Sequence, residues 1–201
     1  MTAAKGQAWI TGVGVLGPKG FAWDAVVQGV RAPRTLFQPV PEAWQSEPGV
    51  PQAWIAPLAA DAEAALQPYD TASADRACAM ALCAADQAWR QSGATPEARR
   101  AGVWWGTGMG GAQSTEQSYR RFLLDRAALR PMTVPRIMAS SPAAQIATRH
   151  GLRGPNLTYS VACASAATAI GEALLALRSG RVDVAIAGGG EAMLQPGVLA
   201  G

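Results

Sequence analysis

The stretch Asn156-Leu-Thr-Tyr-Ser-Val-Ala-Cys163-Ala-Ser165 decides the fold that we expect for this chain. Its first residues alternate apolar and polar side chains as a short strand does, and small helix-forming residues follow from Cys163. Cys163 is therefore predicted to lie at a strand-to-helix turn. The first turn of a helix has unpaired backbone N–H groups and the positive end of the helix dipole, and both favour a thiolate and the oxyanion formed when it attacks a carbonyl. The alternative is that Cys163 is one more small buried apolar residue.

The chain around this stretch alternates predicted strands with predicted helices. The helix that begins at Cys163 continues to Arg178 with small residues on nearly every face of its first two turns, so it can lie buried. Further strands are predicted at Ala8–Thr11, Ala101–Gly106 and Val182–Ala187. This order predicts an α/β layered fold with a mostly parallel, mixed sheet and a buried helix after the cysteine.

The remaining segments are predicted to be helices or surface connections. Helical spacing or helix-ending residues mark Phe21–Gly29, Asp75–Gly93, Ser114–Arg130 and Ser141–Gly151. Residues 31–68 are rich in proline and are predicted to form a loop-rich excursion over the surface. Pro131–Met138 is predicted to be an irregular connection.

The glycines of Gly12-Val-Gly-Val-Leu-Gly17 match the G-x-G-x-x-G pattern of dinucleotide-binding proteins. In those proteins a helix begins within the glycines and receives the pyrophosphate, and an acidic residue follows about twenty positions later. Here Pro18 follows, and Pro33–Phe37 contains no acidic residue. We therefore expect no nucleotide site, and the sequence indicates no cofactor.

Composition limits the classes of protein and of partner. The 201 residues suit one domain, and 49% apolar with only 15% charged residues is typical of a compact α/β protein. The net charge of +3 comes without a dense basic run, so we expect no nucleic-acid partner. No secretory leader is visible, and the longest uncharged segment, Gly154–Gly171, carries too many polar residues for a membrane span.

Apart from Cys163, the cysteines, the histidine and one arginine-rich segment are each interpreted as structural rather than as functional residues. Three cysteines without disulfide spacing favour a reducing cytoplasm. Cys78 and Cys83 lie five apart on a predicted helix without histidine companions, which favours core packing over the alternative of a zinc site. His150, the only histidine, is predicted to cap helix carbonyls rather than to act in catalysis. The arginines of Ser114–Arg130 are predicted to form a solvated face, with docking of an acidic partner as the alternative.

Together, five motifs in order resemble the N-terminal half of a β-ketoacyl-acyl carrier protein synthase, a condensing enzyme of the thiolase-like superfamily. The opening signature resembles Ile10-Thr-Gly-Val-Gly-Val-Leu-Gly-Pro18, and the second glycine turn resembles Gly102–Gly111. Gly151–Thr158 resembles the approach to the family's nucleophile, which corresponds to Ser160–Ser165, and Asp183–Glu191 completes the match. The resemblance covers nearly the full chain.

The resemblance implies a decarboxylative Claisen condensation in fatty acid, polyketide or polyene synthesis. Cys163 would accept an acyl group from an acyl carrier protein as a thioester, and its N–H would be one oxyanion donor. A malonyl thioester would then lose carbon dioxide and extend the chain by two carbons. Met109, Ile137 and Met138 resemble residues of the acyl pocket, with the last two in a segment that reaches across a dimer, formed with a second copy or a related synthase.

One departure from the family limits these expectations. The family's decarboxylating histidines and its second oxyanion donor belong to a C-terminal half, whereas this chain ends at Gly201 and His150 lies in no histidine motif of the family. We therefore expect residues 1–201 to be the N-terminal domain of a longer synthase, inactive in condensation alone. The alternatives are a non-catalytic partner resembling a chain-length factor, disfavoured by Cys163, and a coenzyme A-dependent thiolase, disfavoured by the Gly102–Gly111 turn.

Overall fold

The computed structural model describes residues 6–32 and 35–201, so residues 33 and 34 of the predicted excursion lie outside the described residues. Its strands are β1 (Leu16–Gly17), β2 (Gly20–Phe21), β3 (Gln38–Pro39), β4 (Trp54–Ile55), β5 (Ala101–Gly106), β6 (Asn156–Tyr159) and β7 (Val184–Gly189). Its α-helices are α1 (Trp23–Arg31), α2 (Glu42–Gln45), α3 (Ala60–Leu66), α4 (Arg76–Ser92), α5 (Ala112–Leu123), α6 (Thr133–Ile137), α7 (Ser141–Arg149), α8 (Ser165–Arg178) and α9 (Pro196–Leu199). Single turns of 3-10 helix cover Gln67–Tyr69 and Ala98–Arg100.

The central sheet has the strand order β6-β5-β7, and both pairings are parallel. Val103 on β5 lies opposite Asn156 on one side and Ile186 on the other. The other pairs, β1 with β2 and β3 with β4, are antiparallel and only two residues long. Because the three long strands are parallel, their carboxyl ends meet at one edge of the sheet, and the predicted parallel sheet is confirmed.

Helices cover both faces of the sheet. Val103 and Trp105 belong to the core cluster formed with α4 and α7, whereas Trp104, between them, packs with Ala169 and Ala173 of α8. This alternation along β5 follows from the two-residue period of a strand, and every residue of β5 is buried. The predicted layered α/β fold is therefore confirmed, although α8 is buried along one face only.

The longest helix, α4, begins and ends where its sequence predicts. Asp75 caps its N-terminus by accepting a hydrogen bond from the Ala77 N–H at 2.8 Å, and Gly93 ends it with a left-handed φ of 59°. Cys78 and Cys83 lie on its buried side, each 1% exposed. The prediction that both cysteines pack in the core is confirmed.

The strand predicted at Ala8–Thr11 is wrong, because these residues form no strand. The residues that follow, from Gly12 onward, run along α4. A Cβ on Gly12 would overlap the carbonyl of Ala88, and one on Gly14 would overlap the carbonyl of Ala84. These two glycines therefore allow two backbones to approach closely. The chain continues from them into the β1–β2 hairpin, with no helix N-terminus that could receive a phosphate.

Several predicted boundaries move for local reasons. α1 begins at Trp23 because Ala22 has a φ of 81°, which is not helical, and α5 ends at Leu123 instead of Arg130, with Arg126 at a φ of 54°. The excursion contains β3, α2, β4 and α3, and the connection Pro131–Met138 contains α6. Within the described part of the chain, no helix combines the length and the apolar character needed to cross a bilayer.

Candidate active site

Residues 160–164 join β6 to α8 in what we call the cysteine turn. Ala162 has a φ of 49°, in the left-handed region that L-residues seldom occupy. The Ser165 hydroxyl closes the turn, because it accepts a hydrogen bond from the Val161 N–H at 2.9 Å and donates one to the Ala162 carbonyl at 2.7 Å. Cys163 lies between strand and helix as predicted, but the helix begins two residues later, at Ser165.

The thiol of Cys163 is exposed. Among the residues of 6–32 and 35–201, no oxygen accepts a hydrogen bond from its backbone N–H. The cysteine turn therefore combines an accessible sulfur with an N–H that has no internal partner. An N–H of this kind, next to the sulfur, can donate to an oxyanion that forms when the sulfur attacks a carbonyl.

Two strand-end glycines let the first turn of α8 approach the sheet closely. A Cβ on Gly106, the last residue of β5, would overlap the backbone of Ser165. A Cβ on Gly189, the last residue of β7, would lie 2.7 Å from the Cβ of Ala166 and 2.5 Å from the Gly106 carbonyl oxygen. The position of the helix start, and with it that of Cys163, therefore depends on the absence of side chains at these two strand ends.

A second turn, residues 107–111, lies beside the cysteine turn and is called the glycine turn here. The Ser160 hydroxyl donates to the Gly108 carbonyl at 3.2 Å. A Cβ on Gly108 would lie 3.8 Å from the Ala162 Cα, in ordinary van der Waals contact. Gly110 has a left-handed φ of 57°, which a glycine adopts without strain. The two turns are thus in direct contact at the carboxyl edge of the sheet.

The structure places the predicted acyl-pocket residues near this pair of turns but does not enclose them. The backbone of Gly111 packs against Ile137, where an added Cβ would be 2.7 Å from the Ile137 Cα. Met109 and Met138 are 51% and 50% exposed. Two cavities, of about 270 Å³ and 650 Å³, lie among the described residues, and neither is lined by Cys163 or by these three residues.

A comparison with family models assigns residues 8–201 to the β-ketoacyl synthase N-terminal domain. The chain belongs to the β-ketoacyl synthase family. The resemblance carried by the five motifs is therefore confirmed over almost the whole chain.

Individual relatives agree with this family. The chain is 33% identical over 207 residues to a putative polyketide β-ketoacyl synthase 1 of Streptomyces cyaneus. The aligned region covers 95% of this chain and 47% of that protein. It matches the ishigamide ketosynthase/chain length factor structure with a TM-score of 0.81 and 25% identity, over 94% of this chain and 48% of that one. A type II polyketide ketosynthase in complex with its acyl-carrier protein matches in fold, with a TM-score of 0.79 and 22% identity, over 94% of this chain and 46% of that one. The chain spans about half the length of these synthases.

The only histidine of this synthase-family chain is held against the buried carboxylate of Asp86. The Nε2 atom of His150 lies 3.1 Å from Asp86 Oδ1, outside hydrogen-bonding geometry, and its ring lies 4.9 Å from that of Trp89. Asp86 also receives hydrogen bonds from the Tyr69 hydroxyl at 2.6 Å and the Arg149 Nε at 2.8 Å. His150 is the C-cap residue of α7 as predicted, and its backbone N–H donates to the Ile146 carbonyl at 3.1 Å. The capping comes from the backbone, whereas the imidazole faces the Asp86 carboxylate.

Sequence reasoning missed the polar groups that support the two turns of this synthase-family chain. They are Ser160, Ser165, Thr107 and Glu191. Only Glu191 carried a visible signal, since an acidic residue directly follows three glycines at the end of β7. Its partners lie more than 80 residues away in the chain, at separations of 84 and 83, so no local pattern could identify them.

Proposed function

We propose that Cys163 is the nucleophile that accepts an acyl group from a thioester. The observation that carries this proposal is the cysteine turn itself, an exposed thiol beside an N–H without an internal acceptor. The sulfur attacks the thioester carbonyl, a new C–S bond forms, the carrier thiolate leaves, and the proton of Cys163 goes to the departing sulfur. Because a thioester is exchanged for a thioester, the step is nearly thermoneutral.

We propose decarboxylative condensation as the activity of the whole protein. A malonyl thioester loses carbon dioxide, the resulting enolate attacks the acyl carbonyl on Cys163, and the Cys163 thiolate leaves from a chain two carbons longer. His150 is 9% exposed and contacts Asp86, so it is not available to stabilise the enolate. In this proposal the chain supplies the acyl-holding step, and the enolate-forming groups belong to the part of the synthase that the family resemblance assigns to its other half.

The cysteine separates this proposal from its alternative. A non-catalytic partner of an active synthase, resembling a chain-length factor, has no use for a reactive thiol in an exposed turn. The chain retains both the thiol and the Ser165 hydrogen bonds that close the turn around it. These features support the synthase over the partner.

Mass spectrometry after mixing the full protein with an acyl-carrier thioester tests the nucleophile. We expect one acyl adduct on Cys163 and none on Cys78 or Cys83, the buried cysteines of the same chain. Burial raises the pKa of Cys78 to about 11 and raises the pKa of Cys83, so both serve as internal controls. A Cys163→Ala variant should give no adduct. Absence of the adduct in the folded wild-type protein, or equal labelling of all three cysteines, would contradict the proposal.

We further propose that an acyl carrier protein docks on the basic surface formed by Arg121, Arg130 and Arg136. These arginines line the cavity of about 270 Å³ between α5 and α6 together with one acidic residue, Asp125. Arg120, by contrast, is paired with Glu47 and Glu116. The surface thus has the charge that suits an acidic partner.

Charge reversal at one of these arginines tests the docking. Arg130→Glu should slow acyl transfer to Cys163 from a carrier protein and leave transfer from a small acyl thioester unchanged. Replacement of Arg153, which does not line this cavity, by Glu provides the charge-matched control. Equal rates of carrier-dependent transfer in the two variants would count against this surface.

A further inference from the structure

A single carboxylate binds three donors of the glycine turn. Glu191 accepts hydrogen bonds from the Thr107 hydroxyl at 2.9 Å, from the Gly108 N–H, and from the Met109 N–H at 3.4 Å. The Thr107 hydroxyl in turn accepts a hydrogen bond from the Gly110 N–H at 3.0 Å. Thr107 is 1% exposed, so its hydroxyl lies inside the protein. Hydrogen bonds to an ionised acceptor are stronger than those between neutral groups, and Glu191 therefore restrains most of the turn.

The restrained turn is the one that contacts the cysteine turn. Gly108 lies close to both Glu191 and Ala162, because an added Cβ would be 3.4 Å from Glu191 Oε1 and 3.8 Å from the Ala162 Cα. Ser160 adds the hydrogen bond to the Gly108 carbonyl. A displacement of Gly108 is therefore transmitted to residues directly before Cys163. The same displacement moves the backbone of Met109, whose side chain is half exposed beside these turns.

We propose that Glu191 is a positioning residue for acyl transfer to Cys163. It fixes the glycine turn, which sets both the placement of the cysteine turn and the place where the Met109 side chain meets the acyl chain. The inference rests on the proposed function, since it assigns Glu191 a role in the acyl transfer carried out by Cys163. It adds that the carboxylate controls which acyl lengths are accepted, although its hydrogen bonds reach the cysteine only through Gly108.

The test compares Glu191→Gln with Glu116→Gln in the full protein. Glutamine keeps the size of Glu191 but replaces one acceptor oxygen with an NH₂ group, which would face N–H donors of the turn. Glu116 is a matched control, because its carboxylate also accepts a backbone N–H, from Gly197 at 2.9 Å, and its other bond goes to Arg120. The readouts are kcat and KM for acylation of Cys163 by hexanoyl and decanoyl thioesters, and the thermal midpoint of each variant.

We expect Glu191→Gln to lower the acylation kcat by about 10- to 100-fold, because a misplacement of about 1 Å can cost about 100-fold. The ratio of hexanoyl to decanoyl rates should also change, whereas Glu116→Gln should leave both quantities at wild-type values. A merely structural role would lower the thermal midpoint of Glu191→Gln without altering the rate or the length ratio of the folded fraction. That result would overturn the inference.

A second variant keeps the inference testable if Glu191→Gln does not fold. Thr107→Val removes the hydroxyl bond to Glu191 but preserves the shape of the buried side chain, so we expect a smaller change of the same kind in rate and length ratio. Unchanged kinetics of Thr107→Val would then refute the inference. If the wild-type protein itself acquires no acyl group on Cys163, the proposed function fails. If it does and the Glu191 and Thr107 variants behave like wild type, only the role of Glu191 fails.

Discussion

Replacing Gly189 with alanine should displace the start of α8 and the cysteine turn with it. The new Cβ would lie 2.7 Å from the Ala166 Cβ and 2.5 Å from the Gly106 carbonyl oxygen. Ordinary van der Waals contact begins at 3.4 Å, so the helix start must retreat by about 0.7 Å and the strand end must also move from the Gly106 carbonyl oxygen by about 0.9 Å. Overpacking of this kind costs about 2 kcal/mol, which lowers the Tm of a chain of this length by about 4–8 °C.

The displacement should also slow chemistry at Cys163, which lies two residues before the first residue of α8. We expect acyl transfer to fall about tenfold, since a 1 Å misplacement of a reacting group can cost about 100-fold. The assays are the urea midpoint and the rate of Cys163 acylation measured by mass spectrometry.

Gly171→Ala on the same helix is the control for this prediction. Gly171 is exposed and an added Cβ would meet nothing within 4 Å, so the change should stabilise α8 by about 0.5–1 kcal/mol. Wild-type stability and wild-type acylation in Gly189→Ala would refute the argument that this strand end positions the cysteine turn.

Three further predictions concern the core. Burial lowers the pKa of His150, so stability should fall as the pH drops below about 6.5, and His150→Gln should remove that loss in urea midpoints between pH 7 and pH 5. Burial alone would raise the pKa of Asp86, but the hydrogen bonds from Arg149 and Tyr69 lower it. The ionised carboxylate should therefore stabilise the fold fully above about pH 4, and this stabilisation should disappear as the pH falls through the lowered pKa. Asp86→Asn should abolish this pH dependence of the unfolding free energy. Asp75→Ala should cost about 2–4 kcal/mol by thermal melting, because the carboxylate caps α4 and also accepts the buried Ser114 N–H at 2.8 Å.

Elements marked by local chemistry could be predicted from the sequence. The bounds of α4 follow from a capping aspartate and a glycine with left-handed backbone, both recognisable in the sequence. β5 agrees residue for residue with its predicted range, because its buried run is bounded by a charged segment and a glycine turn. By contrast, α8 begins at Ser165 and not at the predicted Cys163, because Ala162 adopts a left-handed φ that an alanine in the sequence does not predict.

The sequence predicts the position of the cysteine in the candidate site but not the residues that hold the cysteine turn in place. The switch from strand to helix pattern placed Cys163 correctly between β6 and α8. Gly106 is predicted as the last residue of a strand, but the sequence does not show that Gly106 and Gly189 make room for the start of α8, which comes from another part of the chain. The same holds for Glu191, whose hydrogen-bond partners are brought to it only by the parallel pairing of β5 with β7.

The contact between the opening segment and α4 has a matched spacing that restricts insertions and deletions. Gly12 and Gly14 meet Ala88 and Ala84, and the N–H groups of Val13 and Val15 donate to the side-chain oxygens of Gln91 at 2.6 Å and Gln87 at 3.4 Å. Steps of two along the segment thus correspond to steps of four along the helix, in the opposite direction. Two extended residues cover about 6.6 Å and four helical residues about 6 Å, so the two periods nearly coincide. A single inserted or deleted residue in either partner would break this correspondence, so related chains should differ here by substitution and keep the length of both segments.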